Sequence, residues 1–142
     1  ARNVIGLKGA NTPEIDPQTK YKIFKLNEPN GNDKLLRVGL SKFSLKPKTK
    51  AYEIYHSLEI SERHRHRYSF NLKYYDKFEK AGMVFSGYDH ANNMVEIIEL
   101  RDHPWYLGTQ FHPEYASRPL RAHPLFISFL EAAINYKNGK NK

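Results

Sequence analysis

His112, Pro113 and Glu114 are the residues whose types and spacing most directly suggest chemistry. In nucleophile–histidine–carboxylate triads the acid accepts a hydrogen bond from Nδ1–H. The opposite ring nitrogen, Nε2, then serves as the base. Proline disfavours the helical region for the residue before it, so His112 is expected to be extended. In an extended chain, positions i and i+2 point to the same side, so His112 and Glu114 can meet. Taken alone, the tripeptide also reads as a surface turn with a solvated glutamate. The apolar stretch before it, ending in Gln110-Phe111, suggests a buried strand that delivers the histidine to a strand end, where α/β enzymes place their chemistry.

A second segment, ERHRHRY at 62–68, alternates arginine and histidine. If it is extended, Arg63, Arg65 and Arg67 share one face, and His64, His66 and Tyr68 share the other. Several readings compete. His64 and His66 could ligate a metal, although interleaved arginines repel a cation and no third ligand is evident. The arginines with Tyr74 and Tyr75 could form a nucleic-acid strip. One guanidinium could capture a small carboxylate through two parallel hydrogen bonds. A plain solvent-exposed basic strand is the fourth.

The elements that must position these residues read as an α/β chain. Ala1 to Leu7 is predicted to be the end of a helix, stopped at Gly6 or Gly9. Tyr21 to Leu26 and Leu35 to Leu40 are predicted strands, with a loop at Asn27 to Asp33 between them. The lysine-rich run SKFSLKPKTK is expected to be a solvated linker. Ala51 to Ser57 is ambiguous between helix and strand. Glu62 to Phe70 is predicted extended, and Leu72 to Ala81 helical, with Gly82 as its stop. Met83 to Tyr88 and Met94 to Leu100 form a predicted hairpin around DHANN, with a third strand over Trp105 to Phe111. Pro124 opens a closing helix with an apolar stripe of Leu125, Phe126, Phe129, Leu130, Ala133 and Ile134. The tail NGKNK is expected to fray.

Composition narrows the function classes. The chain has 142 residues, enough for one domain or a large piece of one. It has no cysteine, which excludes disulfides, cysteine-ligated metals and a thiol nucleophile supplied by this polypeptide. Lys plus Arg number 23 against 15 Asp plus Glu, a net charge of +8 that favours anionic partners without choosing among them. No apolar run reaches the roughly 20 residues of a membrane span. The first residues lack the apolar stretch of a signal peptide, so a cytoplasmic protein with no membrane partner is expected.

Taken together, these segments resemble the C-terminal part of the glutaminase domain of the CTP synthase family, a class I (triad-type) glutamine amidotransferase. ERHRHRY at 62–68 is similar to that family's ERHRHRYE signature. GTQFHPEYASRPLRAHPLF at 108–126 is similar to its QFHPE region and the continuation ending in HPLF. ARNVIGLKGANTPEIDP at 1–17, LRVG at 36–39, and VEIIEL with HPW at 95–105 follow in the same order. QFHPE alone would indicate only an amidotransferase, such as a GMP synthase subunit; ERHRHRY narrows it. Thr12, Pro13 and Ile15 stand where the family has Ser, Thr and Phe, and Ser69 where it has Glu.

The resemblance implies a fold and a set of roles. The fold is α/β: part of a class I glutamine amidotransferase (flavodoxin-like) sheet with flanking helices and antiparallel hairpin strands. Residues 1–142 correspond to the C-terminal portion of one such domain. The nucleophile, the glycine-rich oxyanion loop and the synthetase domain lie outside them, so this chain alone is expected to be inactive. His112 would be the general base and Glu114 its partner. Arg67 would clamp the α-carboxylate of L-glutamine with the Tyr68 backbone nearby, Glu14 would meet its α-amino group, and Arg37 would relate to GTP activation. The implied reaction supplies ammonia for ATP-dependent amination of UTP to CTP. No cofactor is implied in this chain; Mg²⁺ and ATP belong to the synthetase domain of the parent ligase. The implied partners are the remainder of the amidotransferase domain, the synthetase domain, UTP, ATP and GTP, in a homotetramer with no nucleic acid.

Overall fold

Strand formation in this chain follows period-two burial, even where charge obscures it. The computed structural model describes residues 1–27 and 36–139. Its first strands are short: β1 (Ala10–Asn11), β2 (Tyr21–Lys22) and β3 (Phe24–Leu26). β1 pairs with β2 in parallel. The strand predicted over Tyr21 to Leu26 is therefore broken at Ile23, whose N–H donates to the Asn11 carbonyl and whose own carbonyl accepts from Asn71 N–H.

β4 (Arg37–Leu45) runs well into the lysine-rich segment expected to be a linker. Lys42 and Ser44 alternate with Phe43 and Leu45, which are both buried. The lysine content hid a strand of ordinary period. Helix α1 (Lys50–Tyr55) resolves the ambiguous segment. The Thr49 hydroxyl caps it by accepting from Tyr52 N–H at 3.2 Å. The buried Glu99 carboxylate adds bonds from Lys50 and Ala51 N–H at 3.0 and 3.1 Å. A negative group at a helix N-terminus is favourable.

β5 (Glu59–His66) pairs antiparallel with β4 from Arg37↔His66 to Ser44↔Glu59. The chain then leaves the main sheet. β6 (Tyr68–Phe70) pairs with β3 instead, so the extended run predicted over Glu62 to Phe70 breaks at Arg67. A 3-10 turn (Leu72–Tyr74) leads into α2 (Tyr75–Lys80). β7 (Met83–Asp89) and β8 (Met94–Leu100) form the expected hairpin. The third strand is only β9 (Leu107–Thr109). Helix α3 (Pro124–Lys137) closes the fold.

The main sheet has the order β5-β4-β7-β8-β9 with antiparallel pairing throughout. One buried cluster gathers Leu7, Ile23, Phe70, Tyr74, Phe78 and Phe85. Another gathers Phe43, Leu45, Ala51, Ile97, Phe111 and Leu125. Neighbouring Ile97 and Ile98 serve different clusters, as residues on opposite faces of a strand must. Gly87 lies at the irregular pairing of β7; a Cβ there would sit 2.8 Å from Ile97 Cγ1. Only a residue without a side chain lets the two strands approach this closely.

Two further expectations fail. Ala1 to Leu7 forms no helix: Gly6 has φ +74°, and Leu7 N–H reaches back to the Ala1 carbonyl. The α3 stripe buries Leu125 alone, while Phe129, Leu130 and Ile134 are exposed among the described residues. The loop predicted at Asn27 to Asp33 and the end of the tail lie largely outside the described residues.

Candidate active site

The His112–Glu114 pair forms, by a different route from the one its sequence suggests. His112 is extended (φ −109°, ψ 93°), as a residue before proline should be. The chain then turns at once into a 3-10 turn over Pro113–Tyr115. Tyr115 N–H donates to the His112 carbonyl, and Ala116 N–H to that of Pro113, both at 3.1 Å. The two side chains therefore meet across a turn, not along a strand. His112 Nδ1 lies 2.6 Å from Glu114 Oε1. A carboxylate can only accept here, so Nδ1 carries the proton and Nε2 is left on the opposite edge of the ring. Tyr115 stacks on the imidazole with 4.7 Å between ring centroids.

Neighbouring elements fix this turn. Phe111, buried against Phe43, anchors its entry. His112 N–H donates to the Arg63 carbonyl on β5 at 2.9 Å. The dyad itself is accessible, the His112 side chain being 37% exposed and that of Glu114 55%. Slight desolvation pushes the Glu114 carboxyl upward, but the hydrogen bond and charge of His112 outweigh it and hold it below the usual range.

β5 sorts its charges by face. Arg63 and Arg65 are exposed, while Glu62 and His64 are buried and His66 half-buried. His66 Nδ1–H donates to the Tyr68 carbonyl at 2.9 Å, leaving Nε2 to accept from His64 Nδ1–H at 3.3 Å. Burial lowers His64 to about 3, aided by the Arg37 charge. Burial likewise lowers His66 to about 4, against the opposing Tyr68 bond. Both rings are neutral at physiological pH. Their facing nitrogens are spent on each other, and among the described residues no group of three or more His, Cys, Asp or Glu could hold a metal ion.

Arg67 is exposed at the break between β5 and β6, and Tyr68 is half-buried beside it. The Arg67 carbonyl accepts from Asn27 N–H at 2.8 Å. The His66–Tyr68 bond spans the same point, so the backbone that presents Arg67 is tied on both sides. Glu14 is exposed in a turn after β1, its N–H donating to Thr12 Oγ1.

Arg37 faces inward. Its guanidinium bonds Asp89 Oδ2 at 2.5 Å and also reaches Glu96 and Ser41. Burial pushes the Glu96 carboxyl up to about 7, although Arg37 opposes this. Sequence reading missed Asp89 and Glu96 as the partners of Arg37. The Arg37 side chain is only 14% exposed, and its donors serve buried carboxylates.

The family profile described as Glutamine amidotransferase class-I matches residues 22–132. The chain belongs to the class-I glutamine amidotransferase family. Among its relatives, a CTP synthase of Bacillus subtilis (strain 168) is 49% identical over 144 residues, covering 99% of this chain and 27% of its own length. A CTP synthase of Hydrogenobaculum sp. (strain Y04AAS1) is 48% identical over the same shares. The chain thus spans about a quarter of the curated relatives it matches. Among solved structures, the Trypanosoma brucei CTPS glutaminase domain with bound acivicin superposes with a TM-score of 0.85 at 29% identity. That match covers 94% of this chain and 54% of the other. The class I amidotransferase fold expected from sequence is therefore the fold observed. Among the described residues, no helix is long and apolar enough to cross a membrane.

Proposed function

We propose that this chain is the base-bearing portion of a glutamine-hydrolysing domain whose ammonia aminates UTP to CTP. The observation that carries this reading is the 2.6 Å His112–Glu114 bond in a chain similar to CTP synthases along 99% of its length. The sequence holds no cysteine, so the nucleophilic thiol must come from polypeptide outside it. The covered shares, 27% of the relatives and 54% of the Trypanosoma brucei chain, leave room for that portion and for a synthetase domain.

The chemistry then divides as follows. A thiolate attacks the side-chain amide carbon of glutamine. The imidazole of His112 takes the thiol's proton on Nε2 as that thiolate forms and gives it to the departing ammonia. It then takes a proton from the water that cleaves the thioester and returns it to the leaving sulfur. Glu114 keeps Nδ1 protonated and steadies the imidazolium that forms between the steps. Arg67 offers its guanidinium fork to the α-carboxylate, with Glu14 for the α-amino group and the Tyr68 backbone alongside. A glutamine analogue, acivicin, occupies the Trypanosoma brucei domain, in keeping with an amino-acid substrate. Alone, this chain has a base without a nucleophile and is inactive.

ATP and Mg²⁺ belong to the synthetase portion, and no step is assigned to them in this chain. A cytoplasmic homotetramer and GTP activation complete the proposal. Any GTP effect through Arg37 would act on its buried ion pairs with Asp89 and Glu96.

The test uses the complete protein. His112→Ala should abolish glutamine-dependent CTP formation and spare ammonia-dependent formation. Equal loss of both would assign the histidine to structure and remove the base from the reading.

A further inference from the structure

A buried acid–histidine pair starts one residue along β5 from the Arg63 carbonyl that holds His112, and is not part of the dyad. Glu62 and His123 are 5% and 4% exposed. Glu62 Oε1 lies 2.8 Å from His123 Nε2 and 2.9 Å from the Tyr55 hydroxyl. His123 is also the N-cap of α3, where Nδ1 accepts from Leu125 N–H. That bond fixes the tautomer: Nδ1 is bare, Nε2 carries the proton, and Nε2–H donates to Glu62.

The position of this pair along the chain gives it a consequence. Glu62 and Arg63 are consecutive on β5. Arg63 holds His112 through its carbonyl, and Glu62 holds His123 through its carboxylate. Residues 112–123 therefore leave β5 and return to it at adjacent points, and the dyad sits within that loop. Inside the loop the bonds are local: the 3-10 turn, the mutual Arg118–Arg121 bridge, and His123 N–H to Ser117 Oγ at 3.2 Å. None of these ties the return end of the loop to the sheet. Beyond the loop, Leu125 is seated in the buried cluster with Phe43, Leu45, Ile97 and Phe111, and the Glu62–His123 bond is the directional tie at the loop's own end. Apolar seating alone leaves freedom that a general base cannot have, since misplacement by about 1 Å can cost about 10²-fold in rate.

We propose that the Glu62–His123 pair, with Tyr55 on the same carboxylate oxygen, is a positioning clasp that holds the His112–Glu114 dyad in its catalytic geometry. The clasp touches no substrate and acts through the loop. It also assigns separate duties to the two signature segments: the ERHRHRY strand supplies both anchors, and the HPLF segment supplies the returning hand. The inference rests on the base role proposed for His112.

Two variants of the complete enzyme separate this role from simple support of α3. In His123→Asn the shorter side chain still caps the helix, since asparagine is among the best N-cap residues. It cannot reach Glu62. In Glu62→Gln the amide oxygen can still accept from both His123 and Tyr55. We expect His123→Asn to lower kcat for glutamine hydrolysis by about 10- to 10²-fold, with KM for glutamine and ammonia-dependent synthesis unchanged. Glu62→Gln should retain most of the wild-type kcat. Crystal structures of the variants should show the 112–115 turn displaced in the first and in place in the second. An undisplaced turn with unchanged kcat in His123→Asn overturns the clasp. So does equal loss of both activities, or a Glu62→Gln defect as large as that of His123→Asn. His112→Ala serves as the control: if it hydrolyses glutamine normally, the functional reading fails, while the displacement of the turn still decides the clasp.

Discussion

His112 Nδ1 and Glu114 Oε1 lie 2.6 Å apart across a single 3-10 turn that Pro113 opens. A bond this short between an imidazole and a carboxylate is charge-assisted when the ring protonates. Glu114→Gln keeps an oxygen that can accept from Nδ1–H but removes the charge. In the complete enzyme it should lower glutamine-dependent kcat by about 10²-fold, the low end of what general acid–base help supplies. Ammonia-dependent synthesis should not change. Steady-state assays with each nitrogen source provide the check, and an unaltered glutamine kcat would remove Glu114 from the mechanism.

Arg67 is exposed where β5 gives way to β6, its backbone tied by the Asn27 and His66 bonds. Arg67→Lys keeps the charge and loses the planar fork. An ammonium cannot make two parallel bonds to one carboxylate. KM for glutamine should rise by about tenfold, equivalent to roughly 1.4 kcal/mol. The kcat at saturation should hold, and a KM equal to wild type would place the α-carboxylate elsewhere.

How far these relationships could be read from sequence differs with their range. Residues 112–114 and 62–68 carry their message locally, in type and spacing. The dyad could be anticipated even though its backbone route was not, because Pro113 dictates the residue before it and leaves the next ones free to turn. Lysines at 42 and 46 disguise β4 with charge, while Phe43 and Leu45 carry its period of two and are the signal that marks it. The apolar residues Val4, Ile5 and Leu7 suggested a helix that Gly6, at φ +74°, does not allow. Arg37, Asp89 and Glu96 come from three strands, and nothing periodic links them. Their meeting depends on the β4–β7–β8 order, a property of the sheet and not of any window of sequence. The Glu62–His123 pair was hidden for the same reason.

Arg37 is the cation shared by two buried acids. Arg37→Met would fill most of its volume and leave Asp89 and Glu96 without it. Removing one partner of a buried ion pair typically costs about 3–5 kcal/mol, because the remaining charge stays desolvated. The urea midpoint of the variant should fall accordingly. If it equals wild type, the guanidinium is not the counter-charge that this geometry makes it. A change in nucleotide response without any loss of stability would assign Arg37 a direct ligand role instead.

Glu96 and the two histidines give stability a pH dependence of mixed sign. His64 and His66, lowered by burial to about 3 and about 4, stay neutral in the fold while the unfolded chain protonates near the usual value of about 6.5. Their contribution is complete above that value and is lost as pH falls through the folded values. Glu96, raised by burial to about 7, has the opposite sign. Its contribution is complete below the usual glutamate value and is lost as pH rises toward about 7. Between those limits two histidines oppose one glutamate, so stability should rise gently with pH and more steeply in stronger acid. Glu96→Gln removes the opposing group and should steepen the rise between the glutamate and histidine values. Urea unfolding measured from mildly acidic to neutral pH reads this slope directly. A variant profile parallel to wild type would mean that Glu96 is ionised in the fold throughout, held so by Arg37 against its burial.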